Sequence, residues 1–155
     1  MHTSPDIAID KSTPEIHSQL VDIWLRSVRA THEFLSDEDI KTYLPVVRDE
    51  AFRAVDLWVA FDEKRRPLGF LGLSGTKIAM LFLDPDHIGL GIGRRFLDHA
   101  ATLHSNLQVD VNESNAQAHA FYRRWGFEQV GRSELDEWGK PFPILHLAWR
   151  GGRAI

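Results

Sequence analysis

The segment from Thr76 to Leu103, TKIAMLFLDPDHIGLGIGRRFLDHAATL, limits what this chain can fold into more than any other part of it. Its first eight residues are nearly all apolar, the pattern of a strand buried in the middle of a sheet. Asp84 and Pro85 end the run, since proline brings no N–H to a ladder. Gly89, Gly91 and Gly93 then alternate with Leu90 and Ile92. Beyond them Phe96, Leu97, Ala100 and Leu103 recur at helical spacing. A further strand follows at LQVDVN. Strand, glycine corner, helix and strand together make a βαβ unit, and that unit demands a parallel strand pair.

The flanking segments set the rest of the architecture. A short first strand is expected over 7–10. The helix after it begins at Thr13–Pro14, an N-cap followed by proline at the first helical position. Ile16, Leu20, Ile23, Trp24 and Val28 form its apolar stripe. A second helix starts near Ser36 or Asp37 and turns Ile40, Tyr43, Leu44 and Val47 inward, with a break or kink expected at Pro45. DLWVAFD and PLGFLGLSG flank a polar turn and read as a hairpin. After LQVDVN, SNAQAHAFYRRW reads as a helix capped by Asn112 or Ser114 and stopped by Gly126. FEQVGRSEL and PFPILHLAW close the chain as an antiparallel pair. Antiparallel strands followed by a βαβ unit give a mixed α/β sheet with helices on both faces.

Composition excludes several function classes. A chain of 155 residues fits one domain, expected over 1–150 with a short tail at 151–155. The net charge of −4 argues against broad nucleic-acid binding, which needs a basic surface. The absence of cysteine removes disulfides, thiolate nucleophiles and cysteine metal sites. HEFLS is not the H-E-x-x-H metal motif, and His99 and His104 are five apart, so no metal is expected. No secretory leader and no membrane-length apolar run is read, and the cytoplasm is the expected location.

Glycines at a strand-to-helix corner let the chain adopt angles closed to other residues and let a ligand approach bare backbone. The first helical turn adds unpaired N–H groups and a partial positive charge, which suit phosphate. A tight structural turn is the alternative use of the same residues. The P-loop pattern fails, because Arg94 stands five residues after Gly89. The dinucleotide pattern G-x-G-x-x-G fails as well, because Arg94 or Phe96 occupies its third glycine.

Two segments, LDPDHIGLGIGRRFLDHA and VNESNAQAHAFYRRWGF, resemble the signature regions of the GNAT (Gcn5-related) N-acetyltransferases. The family loop has the form Q/R-x-x-G-x-G/A, and Gly91 and Gly93 match it while Ile88 replaces the leading polar residue. The later pattern N-x-x-A-x-x-x-Y-x-x-x-G-F is matched by Asn115, Ala118, Tyr122, Gly126 and Phe127. IWLRSVRATHEFL and GRSELDEWGKPFPILHLAW resemble a bacterial subgroup of the family. The resemblance covers nearly the whole chain. It implies the GNAT fold, a mostly antiparallel sheet splayed between its fourth and fifth strands.

The resemblance also implies a chemistry, with acetyl-CoA as co-substrate and an amine as acceptor. The loop Ile88, Gly89, Leu90, Gly91, Ile92, Gly93 and Arg94 would hold the pyrophosphate through backbone N–H groups, with Arg94 or Arg95 supplying charge. Leu81 and Leu83 would pair with the pantetheine arm, an N–H near Phe82 or Leu83 would polarise the thioester carbonyl, and Asn115 would touch the cofactor. Tyr122 would act as general acid, a phenol of pKa ~10 protonating a thiolate of pKa ~8.5. His32, Glu33 and Lys77 are the candidate bases, beside a water chain. Phe34, Trp58, Trp138 and Phe142 are expected to border the acceptor. A coenzyme A-binding module without turnover is the alternative function. No nucleic acid or membrane partner is expected, and the protein would be a monomer or homodimer.

Overall fold

The computed structural model describes residues 7–31, 36–87 and 89–151. In chain order the elements are β1 (Ala8–Lys11), α1 (His17–Thr31), α2 (Asp37–Asp49), β2 (Asp56–Phe61), β3 (Pro67–Ser74) and β4 (Lys77–Leu83). They continue with α3 (Ile92–Leu103), β5 (Leu107–Asn112), α4 (Ala116–Trp125), β6 (Glu128–Ser133) and β7 (Ile144–Trp149). The strands form one sheet in the order β1-β2-β3-β4-β5-β7-β6, which puts the apolar β4 at its centre. Every pairing is antiparallel except β4 with β5, the parallel pair that the βαβ unit requires.

Two cores lie on opposite faces. Leu20, Ile23, Trp24 and Val28 of α1, with Ile40 and Val47 of α2, pack on Val59, Phe70 and Met80. Ile92, Phe96, Leu97 and Ala100 of α3, with Tyr122 and Trp125 of α4, pack on Leu71, Ile78, Val109, Val111, Leu145 and Leu147. Alternation along β5 and β7 produces the second arrangement, because every other residue of those strands is buried.

Four local expectations are corrected. Residues 14–16 form a 3-10 turn, and the α-helix begins at His17; Thr13 is extended but its side chain caps nothing. Helix α2 runs through Pro45 to Asp49, so the expected break does not occur. Lys41 and Pro45 are both exposed, so water can serve the carbonyl that proline leaves without a donor. Leu103, the last residue of α3, is 44% exposed and stands off the core. Helix α4 is capped by Asn115, whose Oδ1 accepts from the Ala118 N–H at 3.1 Å. Asn112 instead accepts from the Ser114 N–H and shapes the turn before it. At the start of α2, Ser36 and Asp39 form a reciprocal capping box.

Candidate active site

Strands β4 and β5 pair at two positions only, Lys77 with Gln108 and Ile78 with Val109. Beyond them β4 stays with β3 as far as Leu83, and β5 stays with β7 as far as Asn112. Each strand follows its other neighbour, so the facing edges part, and among the described residues no further β4–β5 pair is formed. A cleft of about 540 Å³ occupies the wedge. Leu81, Phe82 and Leu83 line one wall, Val111 and Asn112 the other. An open strand edge of this kind accepts an extended ligand as an added strand.

The glycine corner closes one end of the cleft. Gly89 and Gly91 have φ of +94° and +76°, the left-handed region that side chains disfavour. Gly93 serves a different purpose: a Cβ there would stand 2.9 Å from the Phe121 ring of α4. These glycines bring α3 in at an angle that aims its first turn at the cleft. Arg95 N–H already bonds to the Gly91 carbonyl, so the N–H groups of Ile92, Gly93 and Arg94 are the helix donors without an intrahelical acceptor. Gly89, Gly91, Ile92, Gly93 and Arg94 all line the cleft. Arg95 is turned to the Ile7 carbonyl, so Arg94 is the arginine of the pair that faces the cavity.

The turn before the loop is held from α1. Arg26 donates to both carboxylate oxygens of Asp84, at 2.8 and 3.0 Å. Asp84 also accepts from the Asp86 N–H. Burial alone would raise the Asp84 carboxyl, but these donors outweigh it and hold the pKa below the usual aspartate range.

Tyr122 lines the cleft from α4 and is 6% exposed. Its ring packs between Phe121 and Phe127. Burial pushes its phenol pKa well above 10, so it stays protonated at any working pH. Its hydroxyl makes no hydrogen bond among the described residues. Asn115 lines the cleft while its Oδ1 caps α4, which leaves the amide N–H₂ as its group for a ligand.

Other expected residues do not meet here. Leu90 is 42% exposed and its side chain is outside the cleft lining. Trp58 packs on the α3 side against His99, with ring centroids 4.2 Å apart, because β2 turns it to that face. Lys77 sits at the closed end of the wedge, its ammonium 2.7 Å from Asp110. Trp138 lies in the β6–β7 connection, 58% exposed and stacked on Tyr43 of α2 at 4.8 Å. Ile88, His32, Glu33 and Phe34 lie outside the described residues. Sequence reasoning missed Asp110, Phe121 and Arg124, which all line the cleft. Helical spacing was a signal for Arg124, which stands three residues after Phe121 and seven after Gln117, both of which line the cleft.

A family model described as an acetyltransferase (GNAT) domain matches residues 27–143. The peptidyl-lysine N-acetyltransferase YjaB of Escherichia coli strain K12 is 46% identical over 145 residues, covering 94% of this chain and 98% of that protein. The solution structure of apo-form YjaB from Escherichia coli matches with a TM-score of 0.86 at 45% identity, covering 94% of this chain and 99% of that one. The crystal structure of a PaiA N-acetyltransferase from Thermoplasma acidophilum in complex with coenzyme A shares the fold at 19% identity, with a TM-score of 0.73 over 94% of this chain and 99% of that one. With the splayed wedge and the glycine corner in place, these likenesses settle the family: the chain belongs to the GNAT N-acetyltransferases, in the YjaB-like bacterial group.

Proposed function

We propose that this acetyltransferase moves the acetyl group of acetyl-CoA onto the ε-amine of a protein lysine by direct attack, with Tyr122 protonating the departing thiolate. One observation carries the proposal: a wedge between β4 and β5 has a helix N-terminus at one end and the buried, protonated Tyr122 on its wall. The N–H groups of Ile92, Gly93 and Arg94 take the pyrophosphate, with Arg94 and Arg124 adding charge around it. Pantetheine runs along the free edge of β4 at Leu81 and Leu83. An N–H near Phe82 or Leu83 polarises the thioester carbonyl. The lysine acceptor is inferred from the 46% identity to an enzyme named for peptidyl-lysine. The cytoplasm is where this donor and such acceptors would meet.

The experiment is a calorimetric titration with acetyl-CoA, followed by a thiol-release assay with lysine peptides and a panel of small amines. Binding together with thiol release on lysine peptides is the expected result. Absence of binding overturns the proposal, and binding without turnover on any amine favours a coenzyme A-binding module.

A further inference from the structure

The cleft crosses the sheet from one face to the other. Phe121 and Tyr122 of α4 line it from one side, and Ser27 of α1 lines it from the opposite side. Its two ends differ in charge. Beyond Leu83 stand the first turn of α3 and Arg94. At the other end Ile78 and Val109 make the last β4–β5 pair, and the next residue of β5 is Asp110. Asp110 is the one acidic side chain among the described residues that line the cleft. Val109 and Val111 are buried in the α3–α4 core, so strand alternation turns Asp110 to the α1 side. That side stays open over β5 and β7, because the core under α1 and α2 draws its strand residues from β2, β3 and β4.

A lysine already occupies this carboxylate. Lys77 Nζ lies 2.7 Å from Asp110 Oδ2, and His146 Nδ1 lies 2.7 Å from Oδ1. Burial would raise the Asp110 carboxyl, but these two partners outweigh it and keep it ionised. The group bound at the apex of the wedge is thus a primary ammonium on a flexible alkyl chain, the same group that a peptide lysine or a free alkylamine carries. The Lys77 side chain is 49% exposed and that of Asp110 35%, so solvent screens their attraction and the pair opens readily. Two ammonium groups on one carboxylate repel each other, so a second one takes the place of the first.

We propose that Asp110 is the docking point for the ammonium of the acceptor, and that Lys77 is an internal competitor which the acceptor must displace. The proposal rests on the amine-acetylation reading above, adds the acceptor's first contact to it, and involves no covalent step. Asp110 is open to an acceptor only while its own lysine is away, and the apparent affinity for any cationic acceptor is reduced by that fraction. Competition gives the two partners opposite signs. Removing the lysine frees the site, and removing the carboxylate destroys it. An ion pair that only pinned β4 to β5 would loosen the wedge whichever partner was lost.

The test is steady-state kinetics at about pH 8, where an alkylamine of pKa ~10.4 is almost wholly ammonium. The acceptor is a lysine peptide, or whichever alkylamine the wild type acetylates, with acetyl-CoA saturating. Lys77→Met is expected to lower the KM for the amine about 2- to 6-fold, the range set by an exposed ion pair. Asp110→Asn is expected to raise it about 3- to 50-fold, a charged hydrogen bond less the share that Lys77 takes. Lys77→Met added to Asp110→Asn is expected to gain nothing, because no carboxylate is left to free. Acetyl-CoA affinity, measured by calorimetry, is expected to stay constant in all three. A gain in Lys77→Met cannot come from a poorly folded protein. An unchanged or raised KM in Lys77→Met, an unchanged KM in Asp110→Asn, a full gain in the double variant, or a loss of acetyl-CoA affinity overturns the competition. If lysine peptides fail while another alkylamine is acetylated, the lysine assignment falls and the competition is still decided. If no alkylamine is acetylated, both fall.

Discussion

Arg26 of α1 grips both carboxylate oxygens of Asp84, at 2.8 and 3.0 Å, and so ties that helix to the turn from which the glycine corner departs. Asp84 is 6% exposed, while the Arg26 side chain is 38% exposed, so solvent screens part of the attraction. Asp84→Asn is therefore expected to cost about 1–3 kcal/mol at pH 7, the range for hydrogen bonds to a charged group. The carboxyl is lowered in the folded state, so its contribution is present above the ordinary aspartate value and is lost as pH falls through the lowered one. The gap between wild type and Asp84→Asn should narrow below about pH 4. Urea denaturation at pH 7, 4.5 and 3 checks this, and a gap independent of pH would contradict the ion pair.

The cleft glycines should fail in different ways. Gly91 has φ +76° and open space around a notional Cβ, so Gly91→Ala should cost about 1–2 kcal/mol of backbone strain alone. Gly91→Glu adds a carboxylate where phosphate is expected and should abolish acetyl-CoA binding in a protein that still folds. Gly93 has no such φ, yet its Cβ would meet the Phe121 ring at 2.9 Å. Gly93→Ala should displace Phe121, which lines the cleft, and weaken acetyl-CoA binding while lowering stability by about 1–3 kcal/mol, as overpacking does. Thermal melts with and without acetyl-CoA separate the two cases.

These glycines also mark how far the sequence could be read. Each strand and helix carries its own period, so the element order and the parallel pair were legible from residues. The glycine corner and Tyr122 were legible through spacing and family resemblance. The point where β4 and β5 part has no local mark in IAMLFL, because it depends on what β3 and β7 impose on their neighbours. Pro45 does not break α2, because a local rule about hydrogen bonding gives way where both affected residues face water. The Lys77–Asp110 pair was illegible for a stronger reason. Its members are 33 positions apart, and the parallel pairing of Lys77 with Gln108 brings them together.

Trp138 offers a test of the acceptor side. The β6–β7 connection reaches α2 through Trp138 on Tyr43 and through Lys140, 3.6 Å from Asp39. Trp138→Ala removes an aromatic pair worth about 0.5–1.5 kcal/mol. If that energy orders the acceptor entrance, the KM for a lysine peptide should rise about 2- to 12-fold, the same energy expressed as a ratio. The KM for acetyl-CoA should stay constant, because Trp138 is outside the cleft lining. Equal changes in both constants would place Trp138 in general stability instead.

Tyr122→Phe tests the proton donor to the departing thiolate. The hydroxyl has no hydrogen-bond partner among the described residues, so the fold does not need it, and stability should be unchanged or slightly improved. Acetyl-CoA affinity should also be unchanged, because the phosphate contacts lie at the other end of the cleft. The rate of transfer should fall about 10²- to 10⁴-fold, the usual contribution of a positioned acid. Burial keeps the phenol protonated across the working range, so the loss should be the same at pH 6 as at pH 9. Two parallel pH profiles, offset by a constant factor, identify Tyr122 as the thiolate's proton donor. A Tyr122→Phe enzyme that turns over at the wild-type rate removes it from that role.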